Sequence, residues 1–159
     1  MKKLSNLLLA ALAAIFLLTL VSLKTDNPSP EIQQQDTLAA KRAVYVKQLR
    51  EAIKGKETLP ADSVFKNIKS LKGIPAGRLL AIMNFGYARS LGVNCTHCHN
   101  TTKWESDEKP QKQIARDMSS MVGQTNQLIK NIKNLKSVDP VVNCTTCHRG
   151  AIKPALDLP

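Results

Sequence analysis

The sequence predicts a mainly α-helical domain with no substantial sheet, and three observations carry that prediction. Apolar residues recur at spacings of three, four and seven. Proline, glycine and aspartate punctuate the ends of those runs. No stretch alternates at period two for long enough to make a strand. The chain has 159 residues with one Trp, two Tyr and three Phe, so ordinary aromatic side chains give a core of this size little bulk.

The N-terminus opens with Met1, Lys2 and Lys3 and continues as an apolar run from Leu7 to Leu23. Positive residues ahead of an apolar run read as an export signal. Counted from Leu4 the run matches the roughly 30 Å of a hydrocarbon core, and no A-x-A-like cleavage site follows it. Residues 1–23 are therefore an export signal or membrane anchor, with the reading leaning toward an uncleaved anchor over residues 4–23. In either case the remainder lies on the periplasmic side of the cytoplasmic membrane, by the positive-inside rule. Residues 24–35 (KTDNPSPEIQQQ) are polar and proline-bearing without periodicity, and read as a flexible linker.

The domain proper is expected over residues 36–159. Asp36 caps a first helix carrying Leu38, Tyr45, Leu49 and Ile53, stopped at Gly55. A second short helix over residues 59–69 presents Val64, Phe65 and Ile68. Ile74 and Pro75 open a third, which runs to about Ser90, carries Met83 and ends at Gly92. The fourth extends from Pro110, a residue suited to a first turn, to Lys136. Its apolar stripe is Ile114, Met118, Met121, Leu128, Ile132 and Leu135. Asp139 and Pro140 break it.

The formal charge is +11, of which Lys2 and Lys3 supply two. No basic run is interleaved with aromatics and the chain is read as exported, which excludes nucleic acid. An acidic face on a redox protein partner fits a lysine surface such as Lys54, Lys56, Lys66, Lys69 and Lys72.

All four cysteines fall in two copies of one phrase. Residues 93–99 read VNCTHCH and residues 142–148 read VNCTTCH, each following a methionine-bearing helix and a break. Cys-x-x-Cys-His is the attachment signature of a c-type haem. On a helical turn, positions i, i+3 and i+4 share one face, so two thiols reach one porphyrin edge while the next His reaches the iron. Cys95, Cys98, Cys144 and Cys147 are the expected covalent anchors of two haem c groups, with His99 and His148 as proximal ligands. Two disulfides would also suit an exported chain. Structural zinc does not match a His directly after its Cys, and a thioredoxin-like pair lacks its βαβ context.

A sixth iron ligand must come from elsewhere. His97 lies inside the loop held against its own haem, facing away from the iron. Beyond Met1 the methionines are Met83, Met118 and Met121. Met83 has no neighbour to compete with for the first haem. Met118 and Met121 share a face, and the residues alone do not choose between them. Arg149 and Arg116 are candidates for haem propionates, Trp104 for packing on the first haem, and Gly150 for a backbone turn against the porphyrin.

The stretches VFKNIKSLKGIPAGRLLAIMNFGYARSLGVNCTHCH, KPQKQIARDMSSM and VNCTTCHRGAIKP cover most of residues 60–154. In them the chain resembles the cytochrome subunit of photosynthetic reaction centres and its smaller, non-photosynthetic relatives. In that family a helix delivers an axial Met to the haem held by the CxxCH that follows. The resemblance implies Met83 for the haem on His99 and favours Met118 for the haem on His148. The family subunit carries four haems, so this chain looks like half of that architecture: helices packed around two covalently attached haems. Nothing here marks a photosynthetic role, and docking to a reaction centre is not carried over.

His/Met ligation closes iron to substrate and raises its potential relative to His/His. The expected function is therefore a dihaem electron carrier and not an enzyme. The rival is a haem enzyme, of peroxidase or small-oxoanion reductase type, with one open iron. It would need a distal acid–base group, and the one spare histidine, His97, is poorly placed. A sensor would want a signalling domain, and none is attached.

Overall fold

The computed structural model describes residues 30–154 and 156; the expected signal or anchor over residues 1–23 lies outside them. Residues 34–154 belong to one compact unit. The helices are α1 (Pro30–Ala52), α2 (Ala61–Val64), α3 (Ala76–Ala81), which continues as a π-helical segment (Ile82–Arg89), then α4 (Pro110–Lys130) and α5 (Cys144–His148). A 3₁₀ turn spans Cys95–His97. Among the described residues the only β pairing is two isolated bridges, Pro60 with Pro75 and Asn100 with Lys103. No described helix is long and apolar enough to cross a membrane.

Three boundaries and one helix type differ from expectation, each for a physical reason. Helix α1 begins at Pro30, not Asp36. Proline is preorganised for a first helical position, and Gln33, Gln34 and Gln35 are good helix formers, so the chain expected to be a linker is helical from residue 30. Helix α2 is four residues long because Phe65 is extended (φ −110°, ψ 146°) and Asn67 is left-handed (φ 59°). The Asn67 side chain repays that turn by donating to the Glu105 carbonyl at 2.5 Å. The third helix widens to π geometry at Ile82, a form concentrated at functional sites. Helix α4 stops at Lys130, short of Lys136; past it the chain turns through a left-handed Asn134 (φ 65°).

The apolar core is small and aliphatic. Ile53 from α1 meets Ala76 and Leu80 from α3, with Leu49, Val64 and Phe65 packed around them. Ala61 N–H donates to the Ile74 carbonyl at 2.7 Å and Ala76 N–H to the Leu59 carbonyl at 2.9 Å, which crosses the starts of α2 and α3. Among the described residues no large side chain is fully buried.

An ionic cluster ties α4 to the loops. Asp107 faces Lys69 at 2.6 Å, Arg116 at 2.8 Å and Lys112 at 3.4 Å. The Arg116 guanidinium, then Lys69, hold its carboxyl well below the usual carboxylate range. A carboxyl depressed in the folded state contributes stability that is complete above its unfolded pKa of about 3.9 and lost as pH falls through the folded value. We therefore expect urea midpoints to fall as pH drops below about 4, and Asp107→Asn to lower the midpoint at pH 7 while flattening that acid limb. An acid limb unchanged in the variant would assign it to other carboxylates.

Candidate haem-binding site

Each cysteine motif is shaped by its own asparagine. Before the first, Asn94 is extended and its Oδ1 accepts from the Cys95 N–H at 2.8 Å. The chain then turns tightly: Cys98 N–H and His99 N–H both donate to the Cys95 carbonyl, at 3.3 and 3.0 Å. Before the second, Asn143 forms a reciprocal cap with Thr146, accepting from its N–H at 3.2 Å while donating its own N–H to Thr146 Oγ1 at 3.1 Å. Helix α5 then carries Cys144, Cys147 and His148 in a single turn and ends at a left-handed Arg149 (φ 49°). Both asparagines thus shape the turns.

The histidines are oriented alike. His99 Nδ1 lies 3.3 Å from the Trp104 carbonyl and His148 Nδ1 lies 3.0 Å from the Ala151 carbonyl. A carbonyl only accepts, so each Nδ1 carries the proton and each Nε2 keeps a free lone pair. Metal-bound histidines use this arrangement. Burial pushes the His99 imidazole below its ordinary pKa, against the pull of the Trp104 carbonyl; the neutral ring is the ligating form. All four thiols are free, and burial raises those of Cys95, Cys98 and Cys144.

Contacts between elements then join the motifs to the methionine-bearing helices. The buried Arg42 of α1, 6% exposed, donates from Nε to Asn84 Oδ1 at 3.1 Å and from Nη1 to the Val93 carbonyl at 3.2 Å. It thereby links the segment carrying Met83 to the start of the first motif. Tyr87 and Ser119 share a short hydroxyl–hydroxyl hydrogen bond beside Met118. Asn126 of α4 clamps the second motif at two points, Nδ2 to the Val142 carbonyl at 3.0 Å and Oδ1 from the Val142 N–H at 2.7 Å. The region of the second motif also meets the end of the π segment's helix, just ahead of the first motif. Ser90 and Thr145 hydroxyls lie 2.6 Å apart, and Gly150 N–H donates to the Ser90 carbonyl at 2.8 Å. Met83 is half-buried in the π segment, while Met118 and Met121 are exposed on α4.

Trp104 packs on the His99 ring itself, centroids 5.4 Å apart, and edge-on against Tyr45 at 5.8 Å. Arg116 is engaged with Asp107 and Gln113. Arg42, Asn126 and the Ser90–Thr145 pair were not expected from the sequence. An arginine on a helix face reads as solvated surface, and the other pairings are long-range.

The residues present fit a c-type haem in each motif. A porphyrin supplies four equatorial nitrogens, so the protein need offer only axial donors and covalent anchors, and each motif offers one oriented imidazole and two thiols. Among the described residues no three His, Cys, Asp or Glu side chains converge as a conventional metal-ligand group. The apolar stripe of α4 faces outward rather than into the core: Met118 is 37% and Leu128 69% exposed, with Ile114 and Met121 between those values. A strongly amphipathic helix with no buried residue needs a large apolar group against that face, and a porphyrin provides one.

Comparison with known proteins agrees. The family described as "Photosynthetic reaction centre cytochrome C subunit" matches residues 24–156. Cytochrome c-554 of Chloroflexus aurantiacus is 36% identical over 86 residues, which is 54% of this chain and 20% of that protein. The photosynthetic reaction center cytochrome c subunit of Rubrivivax gelatinosus is 35% identical over 79 residues, 43% of this chain and 22% of that protein. The matched stretches thus span about a fifth of each relative's length.

Proposed function

Given that the chain belongs to the photosynthetic reaction centre cytochrome c subunit family, we propose that it is a dihaem c-type cytochrome that carries single electrons between redox partners outside the cytoplasmic membrane. The observation that carries this reading is the pair of equivalent histidines, each with Nδ1 donated to a backbone carbonyl and Nε2 left for iron. When bound, c-type haem supplies reversible one-electron exchange at iron.

The chain's own residues have distinct tasks. Cys95 and Cys98 fix one porphyrin edge at the first motif; Cys144 and Cys147 do so at the second. His99 and His148 provide the proximal nitrogens. Met83 and Met118 provide the thioether ligands that keep substrate off the irons. Neither motif presents a spare imidazole as a distal acid–base group, since His97 sits in the 3₁₀ turn of the first cysteine loop. Comparing Met118→Ala with Met121→Ala decides which closes the second iron, because loss of the true ligand lets carbon monoxide bind there. The outward apolar stripe of α4, which includes Met118, supports the assignment of that helix to a haem.

The partner surface follows from charge. Lys54, Lys56, Lys66 and Lys72 are exposed, whereas the Lys69 ammonium is held by Asp107 at 2.6 Å, so the first four are the ones free to steer an acidic partner. Electron exchange with a small acidic redox protein should slow roughly tenfold or more between low and physiological salt, as followed by stopped-flow absorbance. A salt-independent rate would reject the acidic docking face.

A further inference from the structure

The two motifs differ in what their backbone carbonyls face. In the first, three cations donate to main-chain oxygens. Arg42 Nη1 reaches the Val93 carbonyl at 3.2 Å, Lys109 reaches the Thr96 carbonyl inside the cysteine loop, and Lys112 Nζ reaches the Trp104 carbonyl at 3.0 Å. That last oxygen is the one that accepts from His99 Nδ1. In the second motif the corresponding partners are neutral. The Asn126 amide serves Val142, and the Ala151 carbonyl accepts from His148. Among the described residues no ammonium or guanidinium donates to a carbonyl of that motif.

We propose that Lys112 is a positioning residue that acts through the Trp104 carbonyl and His99 to make the haem on the first motif the higher-potential of the two. This rests on the dihaem reading above and adds an ordering to it.

Two effects act in the same direction. The stronger an acceptor the Trp104 oxygen is, the more negative charge the His99 ring passes to iron, and the more ferric iron is favoured. Second-shell hydrogen bonds tune metals in this way. An ammonium on the same oxygen draws density away, weakens it as an acceptor and favours ferrous iron. The positive charge of Lys112 also disfavours the extra positive charge of the oxidised site directly. Lys112 is well placed to do so, because its side chain is only 12% exposed and its Nζ is fixed by a second carbonyl, that of Ser106, at 2.9 Å. Asp107, 3.4 Å away, partly offsets it.

The test is a spectroelectrochemical titration of the full holoprotein beside Lys112→Met and Asp107→Asn. In Lys112→Met the higher of the two potentials should fall, shifting that haem's redox equilibrium against a fixed mediator roughly tenfold, or about 59 mV for one electron, while the lower potential stays. In Asp107→Asn the same potential should rise, because a neutralising anion is removed while Lys112 remains on its carbonyl. A merely structural role would loosen the Asp107 cluster in both variants and move them alike. Equal shifts of both haems, shifts of one sign in the two variants, or an unchanged higher potential would overturn the proposal while leaving the dihaem carrier intact. A purified protein without two covalent haems would overturn both.

Discussion

Replacing Cys144 and Cys147 with serine should leave a protein that carries one covalent haem instead of two, with about half the visible absorbance per chain. The whole chain needs no refolding for this, because the first motif has supports of its own. Its Asn94 turn, the Arg42 bridge to Asn84 and the His99–Trp104 contact draw on α1, the π segment and the loop before α4. The second motif draws on the Asn143–Thr146 cap and the Asn126 clamp. Intact mass under denaturing conditions distinguishes one haem from two directly. Helix α4 should become less stable in the variant, since Ile114, Met118, Met121 and Leu128 would then face water. A full complement of two haems in the serine variant would show that the second motif is not an attachment site.

The second large effect is expected at Gly92, in the turn just before the first motif. Gly92 is left-handed (φ +62°), and a Cβ built there would lie 1.8 Å from the Gly150 carbonyl oxygen and 2.8 Å from its carbon. Both are backbone atoms, so no side chain can swing aside. Gly92→Ala combines left-handed strain with overpacking and should cost roughly 3 kcal/mol or more, lowering the thermal midpoint by about 10 °C. Gly150→Ala is the control. It too has positive φ (+92°), but its added Cβ would meet only the flexible Gln35 side-chain nitrogen, at 3.2 Å. Its loss should be clearly smaller. The Gly92–Gly150 approach brings the turn before one motif onto the turn after the other. Displacing it should also disturb the Gly150–Ser90 and Ser90–Thr145 hydrogen bonds that tie the second motif to the helix end ahead of the first. Equal stability of Gly92→Ala and the native chain would contradict this packing.

What could be read from the sequence was the local chemistry. The cysteines and histidines of a CxxCH lie within five consecutive positions, so their spacing already states the geometry that one helical turn realises. The helix existence and order were legible for the same reason, as periodicity and breakers are local. The exceptions arise where distant residues decide. Helix α2 is cut short at a left-handed Asn67 whose side chain binds Glu105, 38 positions away. Lys69 and Asp107 are as far apart in the chain, so their pairing, and with it the removal of Lys69 from the free lysine surface, has no local signature. Arg42 is buried against all composition-based expectation because the side-chain amide oxygen of Asn84 and the backbone carbonyl of Val93 accept from it. The π segment also has no signature in apolar spacing, since it is a local widening over Ile82–Arg89 inside an otherwise α-helical run.

We propose that two irons are each held by a CxxCH motif and closed by a protein ligand, so that the molecule moves electrons and does no bond chemistry. The most direct test is the visible spectrum of the fully reduced holoprotein before and after addition of carbon monoxide. Two covalent haems and no spectral change are expected, both sixth positions being taken by methionine. A carbon monoxide shift in about half of the haem signal would reveal one open iron and contradict it, placing a haem enzyme or sensor ahead of the electron carrier.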